Sequence, residues 1–572
     1  MPGRSTTNES CFGLLRSRAG CQTCRIRKVK CGEEKPHCVR CTSTGRQCDY
    51  DHSRSRQNQK PVSACQQIPQ RTISTTSSVV WRERRAFAYY YQNAASAVGG
   101  QLDLDFWRRF VPQICQKEPA VWDAIISISA LFESPEAISD AKENRNHQDA
   151  LEWYARALSR VRQQIARGAV GIFVGLVSCV LFLCVEFLRG GVEEAMQLYG
   201  QGVQLILTLR AQRAFGLVTT TEASFLDDTI IPMFIRLGMI GFSVSQPQLH
   251  LLLQDASLKP SDSTISLKSL RNEISRLGAE AQFLQHACGE YLLSPDGPTV
   301  PQRLYDLQKN LLLQLADWYV AFRHLQIPTL NDPVTIALLI ASHEALFIML
   351  NVSTSSSEVI TDQFLFNFQT IVEQSRIALN ASIRPDGTQP PMTLDLNPGV
   401  ALWFTCLRCR EPATRREAIA LLQRCPRVQG FSSISAAVSF GENIMLFEEM
   451  KSMAILQGST KCCLSCLSTL DHSVAGDQVC QTHRSPHLVS DNQTPSFQED
   501  FLAQILPEEA RIGHFSIIQP DDSLAKTITS ETITQWNLRL DQPILSFWRN
   551  ERNPADQSWR MVREYVSMSF AV

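Results

Sequence analysis

The chain has 572 residues, too many for one compact core, so its length predicts about two to four domains or one extended helical array. Its formal net charge of −1 hides an asymmetry, because residues 1–60 hold 13 Lys or Arg against 5 Asp or Glu. The first residues lack the apolar core of a secretion signal, so the 19 cysteines indicate metal ligands and buried apolar side chains rather than disulfides. A cationic surplus at one end predicts contact with nucleic acid there.

Six cysteines near the N-terminus form two copies of the spacing C-x2-C-x6-C. They are Cys21, Cys24, Cys31, Cys38, Cys41 and Cys48. One tetrahedral zinc takes four thiolates, so six thiolates hold two zinc ions only if two of them bridge both metals. The run from Arg25 to Lys30 places four cations beside the metals. We expect this run to form about one and a half helical turns whose end enters a major groove of DNA.

The segments from Arg18 to Cys31 and from Lys35 to Tyr50 resemble the fungal zinc binuclear cluster transcription factors. This resemblance implies two zinc ions per chain, with Cys21 and Cys38 bridging them. Cys24 and Cys31 would complete one zinc site, and Cys41 and Cys48 would complete the other. It also makes Pro36 the turn-forming residue between the halves, and Gly32 a departure, since the family usually has an acidic residue there.

The same resemblance implies that the head binds double-stranded DNA at a triplet similar to CGG. Lys28 would read bases, with Arg27 as the neighbouring candidate. The remaining cations are expected to contact phosphates, and they are Arg18, Arg25, Lys30 and Arg40. The implied compartment is the nucleus.

A polar, proline-containing stretch over 51–80 predicts a flexible linker after a head at 18–50 and a flexible N-terminus at 1–17. No a/d heptads follow the head, so pairing through a coiled coil is not expected and dimerisation stays open.

From residue 81 to 456 the apolar residues recur with helical period, so we predict an all-α domain built as an irregular helical array. Two segments show one apolar face each, formed in the first by Leu151, Tyr154, Leu158, Val161 and Ile165 and in the second by Leu304, Leu307, Leu311, Leu315, Trp318 and Phe322. Further helices are predicted over 192–210, 225–245, 265–292, 333–350, 362–381, 412–424 and 435–456. Residues 457–500 are expected to be a disordered insertion. Residues 501–572 are predicted as a C-terminal region of a few helices and extended pieces that can belong to the helical domain.

The uncharged stretch from Ala169 to Val185 is at the lower limit for a membrane span, but Glu186 follows it at once. We therefore predict a helix buried on all sides and no membrane association. The segments 85–133, 178–206 and 409–426 resemble the fungal-specific transcription factor regulatory domain. The fold class expected for the chain is thus a small zinc binuclear cluster DNA-binding head plus a large all-α regulatory domain.

Two further patterns are weaker. Cys463, Cys466, Cys480 and His483 have the spacing of a zinc knuckle, although incidental cysteines in a divergent insertion explain them better. His343 and Glu344 begin an H-E-x-x-H pattern that Phe347 breaks, so we expect no metalloprotease and no enzyme.

The leading hypothesis is a zinc-dependent, sequence-specific regulator of RNA polymerase II transcription that acts with the transcription machinery or co-regulators. The resemblance adds a role in one pathway, such as a secondary-metabolite gene cluster. The alternative is a nuclear helical scaffold or co-regulator that acts through protein contacts without reading DNA. The sequence leaves open the target genes, activation or repression, half-site spacing, and whether the helical domain binds a small-molecule effector.

Overall fold

The computed structural model divides into two compact units, Met1–Thr76 and Ser77–Val572. The residues described are 20–48, 50, 73–135, 144–168, 171–254, 265–294, 299–325, 332–456 and 506–568, apart from the single positions 521, 523, 554, 556 and 557. Several predictions fall outside these ranges. They concern Arg18, the linker up to residue 72, the insertion over 457–500 and the knuckle residues Cys463, Cys466, Cys480 and His483.

The smaller unit contains two short helices, α1 (Gln22–Ile26) and α2 (Val39–Thr42). Each begins directly after the first cysteine of one C-x2-C-x6-C half.

The larger unit is mostly helical, as the sequence predicts. Its α-helices up to residue 456 are α3 (Ile73–Tyr89), α4 (Ala95–Gly99), α5 (Val111–Cys115), α6 (Pro119–Glu133), α7 (Arg145–Ala166), α8 (Ile172–Arg189), α9 (Val192–Ala214), α10 (Thr220–Phe225), α11 (Ile231–Ile240), α12 (Phe242–Leu253), α13 (Leu267–Leu292), α14 (Gln302–His324), α15 (Pro333–Val352), α16 (Leu365–Ala381), α17 (Gly399–Arg408), α18 (Pro412–Gln423) and α19 (Ile434–Leu456). Turns of π-helix at Tyr90–Ala94, Asp105–Phe110 and Leu226–Ile230 lead into α4, α5 and α11, and a 3₁₀ turn at Val359–Phe364 leads into α16.

The largest hydrophobic core lies among α6, α8, α9 and α11. Helix α8 contains most of the uncharged run of the sequence, and its residues from Leu176 to Phe187 are all buried. Trp107 and Trp153 belong to the same core. Two helices, α8 and α15, are long and apolar enough to cross a membrane by length and composition, a test that the core helix of a soluble protein also passes. In α8, 72% of the tested window is buried inside the protein.

A three-stranded antiparallel sheet follows the helices and belongs to the larger unit. Its strands β3 (His514–Ile518), β4 (Ile544–Arg552) and β5 (Trp559–Ser567) lie in the order β3-β4-β5, and α20 (Ser530–Trp536) precedes β4. The register pairs His514 with Trp548 and Ile544 with Ser567. A shorter ladder joins β1 (Val428–Gln429) to β2 (Ser432–Ser433). The C-terminal region thus carries a sheet alongside the helical array.

This sheet packs on α17 and α19 through an apolar cluster that includes Leu407, Phe440, Phe447 and Phe547. A buried ion-pair network lies beside it. Glu448 accepts hydrogen bonds from Arg410 at 2.9 Å, from Arg415 at 2.6 Å and from the backbone N–H of Ile512 at 2.8 Å. The other side of Arg410 lies 3.2 Å from Glu358. These contacts join the last helices to the segment that enters the sheet.

Candidate metal centre and nucleic-acid interface

The six N-terminal cysteines converge in space. Two groups of four have Sγ atoms that all lie within 4.8 Å of one another, and both groups contain Cys21 and Cys38. Cys24 and Cys31 complete the first group, and Cys41 and Cys48 complete the second. The Sγ atoms of Cys21 and Cys38 are 3.7 Å apart. A zinc tetrahedron with Zn–S bonds of about 2.3 Å has edges of about 3.8 Å, so the thiol donor set fits zinc.

The two halves of the head repeat the same local structure with an offset of 17 residues, read from Cys21 to Cys38. In the first half the backbone N–H of Cys21 donates to the Cys31 sulfur at 3.3 Å. In the second half the N–H of Cys38 donates to the Cys48 sulfur at 3.2 Å. Such bonds orient each thiol and favour its thiolate form, which is the form that binds metal.

Both halves also end their helices in the same way. In the first half, the N–H of Val29 donates to the carbonyl of Cys24 and the N–H of Lys28 donates to the carbonyl of Arg25, a Schellman motif. This motif requires a left-handed residue, and Lys28 has φ of 57°. In the second half the corresponding position is Gly45, with φ of 61°. A lysine therefore stands where glycine is the residue favoured by backbone sterics.

This turn corrects one sequence prediction. The run from Arg25 to Lys30 is not a continuous helix, because α1 ends at Ile26 and the chain reverses at Lys28. The capping geometry stops the helix at that point, since a left-handed residue cannot continue a right-handed helix. Val29 and Lys30 lie outside any helix or strand on the way to Cys31.

The predicted DNA-contacting cations do not share one environment. Four of them are exposed on the head, namely Arg25, Lys28, Lys30 and Arg40. Arg27 is half-buried, and its guanidinium donates to the hydroxyl of Thr44 at 3.3 Å. It therefore bridges the two halves of the head and is less free than Lys28 to reach a base edge. Arg18 lies outside the described residues.

Three residues that sequence reasoning did not single out support the cysteines. The Tyr50 hydroxyl lies 3.5 Å from the Cys31 sulfur, and the Lys35 ammonium sits 5.7 Å from the centre of the Tyr50 ring. The Thr23 hydroxyl donates to the carbonyl of Gln47 at 2.9 Å and ties α1 to the segment before Cys48. Tyr50 followed the last cysteine in the sequence motif, but its contact with Cys31 depends on how the second half folds back.

Gly32, where the sequence departs from the family pattern, lies under the side chain of Glu34. A Cβ at this position would collide with the Glu34 carboxylate. That carboxylate instead accepts the backbone N–H of Val39 at 3.1 Å, at the start of α2. A negative charge at a helix N-terminus is favourable. Glycine at position 32 therefore leaves room for the contact between Glu34 and α2, which joins the two halves of the head.

The packed thiols perturb one another's ionisation. Burial alone would raise the pKa of Cys38, but hydrogen bonds from the Cys41 backbone and neighbouring thiols outweigh it and lower that pKa to about 6. Burial raises the pKa of Cys24 well above its usual range. So many thiols at this spacing cannot ionise together without a cation between them, because their charges repel at short range. The electrostatics of the cluster thus favour a divalent metal.

Comparison with known proteins gives a family match for the head and relatives for longer parts of the chain. Residues 19–57 match the family described as the fungal Zn(2)-Cys(6) binuclear cluster domain. Over 228 residues, 35% of this chain and 36% of the relative, the chain is 32% identical to the aspercryptin biosynthesis cluster-specific transcription regulator atnN of Emericella nidulans. Over 362 residues, 58% of this chain and 86% of the relative, it is 23% identical to the transcription regulator lscL of Purpureocillium lilacinum.

A third relative matches over a much shorter stretch. The transcriptional regulatory protein UME6 of Saccharomyces cerevisiae is 56% identical over 36 residues, which are 6% of this chain and 4% of the relative. The match to atnN likewise spans little more than a third of that relative's length. These relatives are transcription regulators, which are not enzymes. No solved structure matches the chain.

Proposed function

We propose that this chain, whose head matches the fungal Zn(2)-Cys(6) binuclear cluster domain, reads a CGG-like triplet of double-stranded DNA in the nucleus and thereby regulates RNA polymerase II transcription. The observation that carries this proposal is the pair of four-thiol groups that share two sulfurs, with exposed cations around them. A metal-bound core is rigid, and this rigidity would hold the short cationic turn in one orientation in a DNA groove.

The head would hold two zinc ions per chain, with Cys21 and Cys38 bridging them. The support is geometric, because these two cysteines belong to both groups of converging thiols. Bound zinc would supply folding free energy to a head that has little hydrophobic core of its own. Metal analysis of the purified chain should give two zinc ions, and Cys38→Ser should lose both. A content of one zinc per wild-type chain would contradict the bridged arrangement.

Base reading is assigned to Lys28, and phosphate contact to Arg18, Arg25, Lys30 and Arg40. Support comes from the exposure of the described cations and from the reversal of the chain at Lys28, which sets that side chain at the tip of the turn. An ammonium that donates to guanine O6 or N7 gives about 1–3 kcal/mol of discrimination between bases. Arg27 is secondary, because its guanidinium already bonds to Thr44.

The test is a titration of the full chain with fluorescent duplexes that contain CGG or a scrambled triplet, at several salt concentrations. We expect tighter binding to CGG and affinity that falls steeply with salt for both duplexes, because binding releases counterions from phosphates. Zinc chelation should abolish the preference. Equal affinity for both duplexes in the zinc-loaded chain would favour the alternative of a scaffold that works through protein contacts.

We further propose that the protein controls one pathway, in the manner of a secondary-metabolite gene cluster regulator. The support is that the relative from E. nidulans is named for a biosynthesis cluster. The larger unit would engage the transcription machinery or co-regulators, without a membrane. Mapping the DNA occupied by a tagged chain, together with transcript levels after deletion, tests this. Occupancy spread over unrelated genes would contradict a single pathway.

A further inference from the structure

The larger unit contains a cavity that the DNA-reading function does not use. It lies among α11, α13, α15 and α17, is also lined by residues 395–397, and has a volume of about 100 Å³. Its wall is mainly apolar, formed by Met239, Ile240, Ile274, Leu346, Met349 and Phe404.

One cation lines this apolar cavity. The side chain of Arg236 is only 6% exposed. Its Nε donates to the carbonyl of Leu394 at 3.2 Å, but its Nη1 finds no acceptor among the described residues. Burying a charged guanidinium N–H without an acceptor is unfavourable, because the lost hydrogen bond to water is not replaced. An acceptor on a bound molecule would remove this penalty.

The acidic groups near Arg236 are already engaged by another arginine. Arg271 is fully buried and lies 2.9 Å from Asp103 and 3.0 Å from Asp395. Lys268 lies 2.9 Å from Asp103. Arg236 is left with long separations of 3.8 Å to Asp103 and 4.0 Å to Asp395. The cluster holds three cations against two carboxylates, so one positive charge remains to be balanced.

A second orphaned polar atom lies on the same wall. The Gln282 side chain donates to the carbonyl of Met239 at 3.1 Å, whereas its Oε1 accepts no hydrogen bond from the described residues. The residues that line the cavity therefore include one with an unused donor, Arg236, one with an unused acceptor, Gln282, and a mainly apolar remainder.

From this arrangement we propose that the cavity binds a small organic carboxylate with an apolar body. The carboxylate accepts from Arg236 Nη1 and balances the surplus charge, and the apolar body lies against Met239, Ile274 and Phe404. A hydroxyl or amide N–H elsewhere on the molecule would satisfy Gln282. This proposal does not depend on DNA binding by the head.

The test is calorimetric titration of the full chain with three carboxylates of differing shape, each paired with its neutral primary amide. The probes are naphthalene-2-acetate, 4-phenylbutanoate and decanoate. A charge-assisted hydrogen bond is worth about 1.5–3 kcal/mol, so we expect at least one carboxylate to bind roughly ten-fold or more tightly than its amide. Ala345→Leu, which adds bulk to the wall, should weaken both members of that pair.

Arg236→Gln is the decisive variant. It leaves two cations against two carboxylates, so the charge of the cluster stays balanced and the chain should fold, which a thermal melt checks. This variant should lose the preference for carboxylate over amide. Arg416→Gln is the matched control, because Arg416 pairs with Glu449 on another part of the unit and does not line the cavity. No saturable binding of any probe, equal affinity for acid and amide, or a preference retained by a folded Arg236→Gln chain would overturn the proposal.

Discussion

Replacing Lys28 by glycine separates the backbone role of this residue from its proposed role in reading DNA. Lys28 has φ of 57°, in the left-handed region that closes the first helix of the head. Glycine adopts this conformation freely, whereas a residue with a Cβ pays about 1–2 kcal/mol. Lys28→Ala removes the ammonium and keeps that strain. Lys28→Gly removes both.

The expected magnitudes follow from these two terms. Glycine also has greater entropy in the unfolded chain, which offsets about 0.5–1 kcal/mol of the relief. The Lys28→Gly head should therefore be as stable as the wild type or up to about 1.5 kcal/mol more stable, and more stable than Lys28→Ala. Both variants should lose about 1–3 kcal/mol of preference for the CGG duplex, which is roughly 5- to 150-fold in affinity ratio.

Gly45 provides a matched control in the other half. It has φ of 61°, and a Cβ there would meet no atom within 4 Å, so Gly45→Ala adds backbone strain and little else. We expect Gly45→Ala to lower head stability by about 1 kcal/mol and to leave base preference unchanged. Denaturant-induced zinc release, followed with a chromophoric chelator, reports head stability. Competition between CGG and scrambled duplexes reports base preference.

Two results would refute this reasoning. If Lys28→Gly keeps the full preference for CGG, the ammonium does not read bases. If Lys28→Ala and Lys28→Gly heads release zinc at the same denaturant concentration, the left-handed backbone is not the constraint that the structure indicates.

Three other changes are expected to have distinct outcomes. Lys30→Ala should weaken binding to all duplexes alike and reduce the salt slope by about 0.9, measured by titration at several salt concentrations; a change in base preference would contradict a phosphate role. Glu448→Leu should destabilise the larger unit by about 3–5 kcal/mol in denaturant unfolding, because Arg415 would be left buried without its carboxylate, and an unchanged transition would contradict this. Thermal stability should fall with acidification, because two groups of the larger unit have lowered pKa values. Burial lowers the pKa of His514 from 6.5 to about 4. For Glu358 the charges of Arg408 and Arg410 outweigh the effect of burial and lower the pKa from 4.5 to about 2. Each group therefore stabilises the folded chain above its ordinary pKa, and this stabilisation is lost as the pH falls towards the lowered pKa. The loss occurs between pH 6.5 and 4 for His514 and between pH 4.5 and 2 for Glu358. In a series of thermal melts, a His514→Gln chain should lack the loss between pH 6.5 and 4.

Much of the helical body was predictable, because its helices carry regular apolar faces. Helices predicted over 265–292 and 412–424 are observed at Leu267–Leu292 and Pro412–Gln423. In α14 the predicted face is buried at Leu304, Leu311, Leu315, Trp318 and Phe322, whereas Leu307 is 42% exposed. Periodicity in that helix therefore identified the element and most of its core face.

Other helices show where periodicity fails. In α7 the predicted face included Leu151 and Ile165, which are 36% and 63% exposed, whereas Trp153 and Ala157 are buried. The buried face of α7 is set by the small and aromatic residues that fit against α6, and a count of large apolar residues does not capture this choice.

The candidate site was predictable in its ligands and less so in its backbone. The spacing of the cysteines selects the thiols that converge, because a C-x2-C pair is already close in sequence. The left-handed turn at Lys28 was missed, since nothing in a run of cationic and aliphatic residues marks a positive φ. The fold-back that brings Tyr50 to Cys31 depends on tertiary structure.

Because the C-terminal sheet covers α17 and α19, the apolar faces of these helices stay uncovered until the end of the chain has been synthesised. Phe440 and Phe447 on α19 are covered by residues of the sheet, and Glu448 is satisfied in part by the N–H of Ile512. On the ribosome, α19 therefore emerges well before the strands that shield it. A nascent or prematurely terminated chain ending before residue 506 would display these phenylalanines and a partly unsatisfied carboxylate to the cytosol. Such a surface is the kind that chaperones and proteases recognise, so full synthesis becomes a condition for persistence in the cell.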